Sequence, residues 1–132
     1  MRGRPVKLAS VRAQQAPPKI ERAEVPDGEY QARLVAVAPF ANAHGERMGF
    51  SYEIEGGPHA GVILVQSAAR SESPKGKLAA ILIDILGREP TLDELLNGPG
   101  SEHIGLTCRI IVEEGRSRSG TKYSAVSRAR RA

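Results

Sequence analysis

Three histidines, one cysteine and an adjacent pair of carboxylates are the first side chains to weigh for reactive chemistry. His44 and His59 sit in turn-forming stretches beside Gly or Pro. None of the three histidines, His103 included, has Cys, Asp or Glu at a spacing suited to metal ligation. Asp93 and Glu94 fall in the first turn of a short helix, where the helix dipole accounts for acidic side chains. Cys108 alternates with Ile110 and Val112 and reads as a small core residue. The sequence has no phosphate-binding loop and no strand-linked GxGxxG. It therefore predicts no catalytic residue, no metal and no cofactor.

The basic residues offer a different chemistry. Binders of single-stranded nucleic acid combine a cationic groove for phosphates with aromatic rings that stack on bases. Candidates for phosphate contact are Arg33, Arg47, Arg70, Lys75, Lys77, Arg109, Arg116, Arg118, Lys122 and Arg128. Arg33 and Arg109 lie on the less apolar faces of strands. Arg70, Lys75 and Lys77 cluster between a strand and a helix, and Arg116, Arg118 and Lys122 line a hairpin. The plainer alternative for each is solvated surface charge. Tyr123 follows the basic hairpin and is the first choice for stacking. Phe50 and Tyr52 share a face with Met48 and Ile54, which is a core pattern; if that face lined a groove, they would stack as well. Aromatics are only 4% of the chain and Trp is absent, so affinity would rest on charge and fall steeply with salt.

The net charge of +4 is unevenly spread. Residues 1–24 carry six basic and two acidic groups, residues 25–114 seven and thirteen, and residues 115–132 six and none. Basic ends of this kind suit polyanions. The length of 132 residues fits one domain, and 40% apolar content is enough for a core. No apolar run approaches the ~18 residues of a membrane span. The N-terminal stretch lacks the apolar segment of a secretory signal. A single Cys excludes an internal disulfide or a multi-Cys zinc site. A reducing cytoplasm is the simplest expectation.

These residues need elements to position them. Pro5 and Pro17-Pro18 mark residues 1–24 as a flexible basic arm. Glu29–Ala38 alternates as a strand, with Tyr30, Ala32, Leu34 and Ala36 on one face and Gln31, Arg33, Val35 and Val37 on the other. After a turn at Asn42, His44 and Gly45, Met48–Glu55 is a second strand, and Val62–Val65 a third. Ser73-Pro74 predicts a helix start. Leu78, Ile81, Leu82 and Ile85 form its apolar stripe, and Gly87 its stop. Thr91-Leu92-Asp93-Glu94 has the form of a capping box opening a second short helix through Leu96. Leu106–Glu113 and Thr121–Arg128 are strands joined by the basic hairpin, and residues 129–132 are a basic tail. The expected fold of residues 25–128 is mainly β with one principal helix, in the order β-β-β-α-β-β. That order suits an OB-fold-like five-stranded barrel, although an open α+β sheet has it too.

Several segments together resemble small single-stranded DNA-binding proteins of phages and mobile elements. They are Asp27–Val35, Phe50–Ile54, Gly57–Gly61, Ser73–Leu78 and Leu86-Gly87-Arg88. The resemblance spans about residues 26–128. It implies an OB-fold, a non-catalytic role in replication or recombination, and contact with the proteins of those processes. The chain departs from that group in lacking Trp and in its basic N-terminal arm. The expected ligand is single-stranded DNA, with RNA as an alternative. The competing expectation is a protein-interaction or adaptor module of a nucleoprotein assembly, favoured by the acidic middle of the chain.

Overall fold

The computed structural model describes residues 24–43, 45–116, 120 and 122–132, with Arg116 described by its backbone alone. The expected arm lies outside these residues except for Glu24, as do His44 and Arg118. Five strands form one antiparallel sheet: β1 (Gly28–Asn42), β2 (Gly45–Ile54), β3 (Ile63–Ala69), β4 (Thr107–Arg116) and β5 (Lys122–Arg131). Their order across the sheet is β3-β2-β1-β4-β5. Helices α1 (Lys77–Leu86) and α2 (Leu92–Asn97) and a 3-10 turn at Ser101–His103 separate β3 from β4. The protein is thus mainly β.

The inward residues of each strand make the core. Leu34, Met48, Phe50, Tyr52, Ile110 and Val112 are fully buried, together with Leu78, Leu82 and Ile85 from the stripe of α1. This corrects the stacking alternative for Phe50 and Tyr52: both rings are enclosed and have no face for a base. The Tyr52 hydroxyl donates to Gln66 Oε1 at 3.1 Å inside the core. Burial raises its pKa well above the usual tyrosine value, with Cys108 and Asp84 adding to the effect.

β1 is longer than its alternation suggests, because a bulge breaks the period. Leu34 pairs with Tyr52 and Ala36 with Ser51, so Val35 is an extra residue on β1. Past it Val37 turns inward opposite Phe50, onto the face opposite to the one expected. The two halves of β1 also have different neighbours. Gly28–Arg33 pairs with β4, whereas residues 36–42 pair with β2 alone.

By pairing direction, β3 and β5 both run with β1. These two sheet edges approach each other, and α1 packs on both. The ladder is not closed by hydrogen bonds between them.

Helix α1 begins at Gly76, which has no side-chain cap, rather than at Ser73. Ser73 instead shapes a turn, its Oγ accepting from the Lys75 N–H at 3.2 Å. Gly87 ends α1 as expected, in the left-handed conformation with φ 76°. The capping box of α2 is complete: Thr91 Oγ1 accepts from Glu94 N–H at 3.1 Å, and Glu94 Oε1 accepts from Thr91 N–H at 2.8 Å.

The expected tail at 129–132 is also corrected. β5 continues to Arg131, Ala129 is buried, and the Ala132 N–H donates to the Thr107 carbonyl at 3.0 Å. Arg131 donates to the Leu86 carbonyl at 2.7 Å. A small inward Ala between arginines leaves almost no hydrophobic signal, so the strand is hidden in the sequence.

Candidate nucleic-acid interface

Four of the expected phosphate contacts are ion-paired. Arg33 on β1 lies 3.0 Å from Glu53, and Arg109 on β4 lies 3.2 Å from Glu29. Arg128 on β5 lies 3.2 Å from Asp84 of α1. Arg70, just beyond β3, lies 3.6 Å from Glu46 and also donates to the Leu96 carbonyl. Exposed pairs of this kind are worth only about 0–1 kcal/mol, so a polyanion can compete for the cations. Lys75 and Lys77 are exposed, before and at the start of α1, and Lys122 is exposed at the start of β5. None of these three has an ion pair among the described residues. Of the basic hairpin, Arg118 and the Arg116 side chain lie outside the described structure.

Tyr123 is half-buried, and its ring covers Gly115, its partner on β4. A Cβ at Gly115 would stand 3.0 Å from that ring. Tyr123 also lines a cleft of about 450 Å³ with Lys122, Glu24, Asp27 and Glu114. Three carboxylates there work against phosphate, which makes Tyr123 a weaker stacking candidate than its sequence position implies.

A better-placed aromatic is Phe40. It stands directly opposite Arg47 in the β1–β2 ladder, and its ring overlies Gly49. A Cβ at Gly49 would meet Phe40 Cε1 at 3.0 Å, so the absence of a side chain there makes room for the ring. The Arg47 guanidinium is held by the Ser67 hydroxyl, from Nε at 3.2 Å and Nη2 at 3.1 Å. The neighbours in register on this face are small: Ala38, Gly49 and Ser67 in one row, Phe40, Arg47 and Ala69 in the next. Phe40 and Arg47 are therefore cross-strand partners on a strip whose other residues are small and uncharged. By its alternation in sequence the first strand ends at Ala38, short of Phe40. The available signal was Gly49, a strand-interior glycine on the outward face, which often marks close approach by another group.

Among the described residues no group of three or more His, Cys, Asp or Glu side chains is arranged to hold a metal ion. Burial pushes the Cys108 thiol up to about 11, so it is protonated at neutral pH. No described helix is long and apolar enough to cross a membrane. No protein-family model matches the chain, and no curated protein matches it.

Proposed function

We propose that this protein is a non-catalytic binder of single-stranded nucleic acid, DNA in the first place, built on an OB-fold barrel whose β3–β5 seam is open. The observation that carries this reading is the Phe40–Arg47 platform on the outward face of β1, β2 and β3. Oligonucleotides bind OB-folds on the face of the second and third strands and at the loops joining strands one to two and four to five. The strand order β3-β2-β1-β4-β5, with α1 between β3 and β4, supports that fold. The Arg70 N–H donates to the Glu46 carbonyl at 3.1 Å, so the segment leading to Lys75 and Lys77 starts at the same end of the face as Arg47. Bases would stack on Phe40, while Arg47 and the two lysines hold phosphates. The sequence resemblance supports a role in replication or recombination, and RNA is a possible ligand of the same surface.

Anisotropy with labelled dT oligomers and a matched duplex, across a salt series, tests this reading. Tight single-strand binding, weak duplex binding and a steep salt slope are expected. Phe40→Leu keeps an apolar cover over Gly49 and removes the π-face. It should weaken dT binding about 5- to 150-fold, the equivalent of one stacked base at ~1–3 kcal/mol, and leave the salt slope unchanged. Wild-type affinity in this variant would remove the platform from the reading. No binding by the wild type at low salt would discard nucleic acid as the ligand.

One observation favours the second reading, a protein-interaction module. Leu92 and Leu96, one turn apart on α2, are 57% and 37% exposed. A single-strand titration that stays flat at low salt would turn attention to that pair and to a protein partner.

A further inference from the structure

We infer that Arg109, Arg128 and Arg130, on the outer face of β1, β4 and β5, form a phosphodiester-binding site that grips the backbone of the bound strand away from the Phe40–Arg47 platform. This rests on the reading of the protein as a single-strand binder.

The ladder register lays out the site. Two rows cross three strands: Gln31, Arg109 and Arg130 in one, Glu29, Ile111 and Arg128 in the other. Ile110 and Ala129 between them are buried, so the row residues point to the opposite, solvent side. Arg109 and Arg130 are therefore direct cross-strand neighbours, and like charges so placed repel. Glu29 answers Arg109 at 3.2 Å and Asp84 answers Arg128 at 3.2 Å. Arg130 has no ion pair among the described residues.

The result is a basic hollow with one cation in excess. Glu29, Arg109, Ile111, Arg128 and Arg130 line a depression of about 60 Å³. Its lining of guanidiniums around a small depression suits an oxyanion. Three guanidiniums against two carboxylates leave one unit of positive charge, which matches the single negative charge of a phosphodiester. Guanidinium forks fit phosphate oxygens in pairs. Ile111, 39% exposed, gives the adjoining sugar carbons an apolar floor.

An abasic phosphodiester oligomer separates this site from the platform, because it carries phosphates and no bases. The wild type should bind it more weakly than dT, with clear salt dependence. Arg109→Gln/Arg130→Gln should weaken both oligomers. For one lost phosphate contact the salt slope should become shallower by about 0.7, and affinity at ~50 mM salt should fall about eight-fold, the factor that slope gives relative to 1 M. Phe40→Leu should affect dT alone. Unchanged affinity and slope in the double variant, with the wild type still binding dT, would overturn the arginine site and leave the single-strand reading standing. A wild type that binds neither oligomer at low salt would overturn both. Arg130→Gln should melt no lower than the wild type, since it relieves a repulsion. A lower Tm would make Arg130 a structural residue and also sink the proposal.

Discussion

Tyr52 and Phe40 have exchanged the roles that residue type alone would assign them. Tyr52 is amphipathic, yet its hydroxyl is taken into the core because Gln66, diagonal to it on β3, accepts the hydrogen bond. Tyr52→Phe leaves that acceptor without its donor. The cost of such a buried orphan is about 1–3 kcal/mol, which urea unfolding would read. Replacing Gln66 by Leu in the same chain should recover part of the loss; a Tyr52→Phe variant as stable as the wild type would show that the bond contributes nothing net. Phe40 is apolar, yet stays half-exposed because Gly49 offers it a backbone surface to lie on. The arginines follow the same logic. Arg33, Arg70, Arg109 and Arg128 look free in the sequence, but strand register and helix packing bring a carboxylate to each.

At the scale of elements, local signals hold where a motif satisfies itself within a few residues. The α2 capping box forms as its sequence predicts, and Arg88 extends it with two bonds to the Glu94 carboxylate, at 2.9 and 2.8 Å. Those bonds, with help from Thr91 against the opposing effect of burial, hold the Glu94 pKa down to about 2 from an ordinary 4.5. A carboxyl whose folded pKa is depressed stabilises the fold above its unfolded pKa, and that contribution is lost as pH falls through the folded value. Tm should therefore decline from about pH 4.5 toward pH 2 through this group. Glu94→Gln keeps a capping side chain and removes the charge. It should cost about 1 kcal/mol at neutral pH, since Arg88 is half-exposed, and flatten the acid limb of the Tm profile. An unaltered acid limb would assign that limb to other carboxylates. The β1 bulge and the late start of α1 show the opposite case. Both depend on what the neighbouring element requires, and neither has a marker within its own segment.

For the whole molecule, the consequential feature is a sheet whose edges meet without hydrogen bonds. Ala32 and Arg33 of β1, residues 47–53 of β2 and residues 108–112 of β4 are paired on both sides, while β3 and β5 each have one ladder partner. Native-state hydrogen exchange should find the amides in those doubly paired spans the most protected and the edge amides of β3 and β5 the first to exchange. Equal protection across all five strands would mean that the seam is closed in solution. The charge partition also acts at this scale. The acidic middle of the chain supplies Glu29, Glu46, Glu53 and Asp84, which hold its own Arg33, Arg70 and Arg109 and Arg128 of β5. A strand approaching the surface must compete with these carboxylates, which is why salt dependence is the informative measurement.

By itself the sequence determined the mainly β character, the order of the elements, the apolar faces of β2 and α1, the Gly87 stop and the α2 cap. Each follows from periodicity or from chemistry confined to neighbouring residues, which a linear reading captures. Only the tertiary structure decided that Phe50 and Tyr52 are interior, that Phe40 lies beside Arg47, that β5 runs on to Arg131, and that Arg109 faces Arg130. The physical reason is that strand register and bulges are fixed by pairing between distant segments. A one-residue change in register sends a side chain to the opposite face, and no local pattern records which partner it will meet.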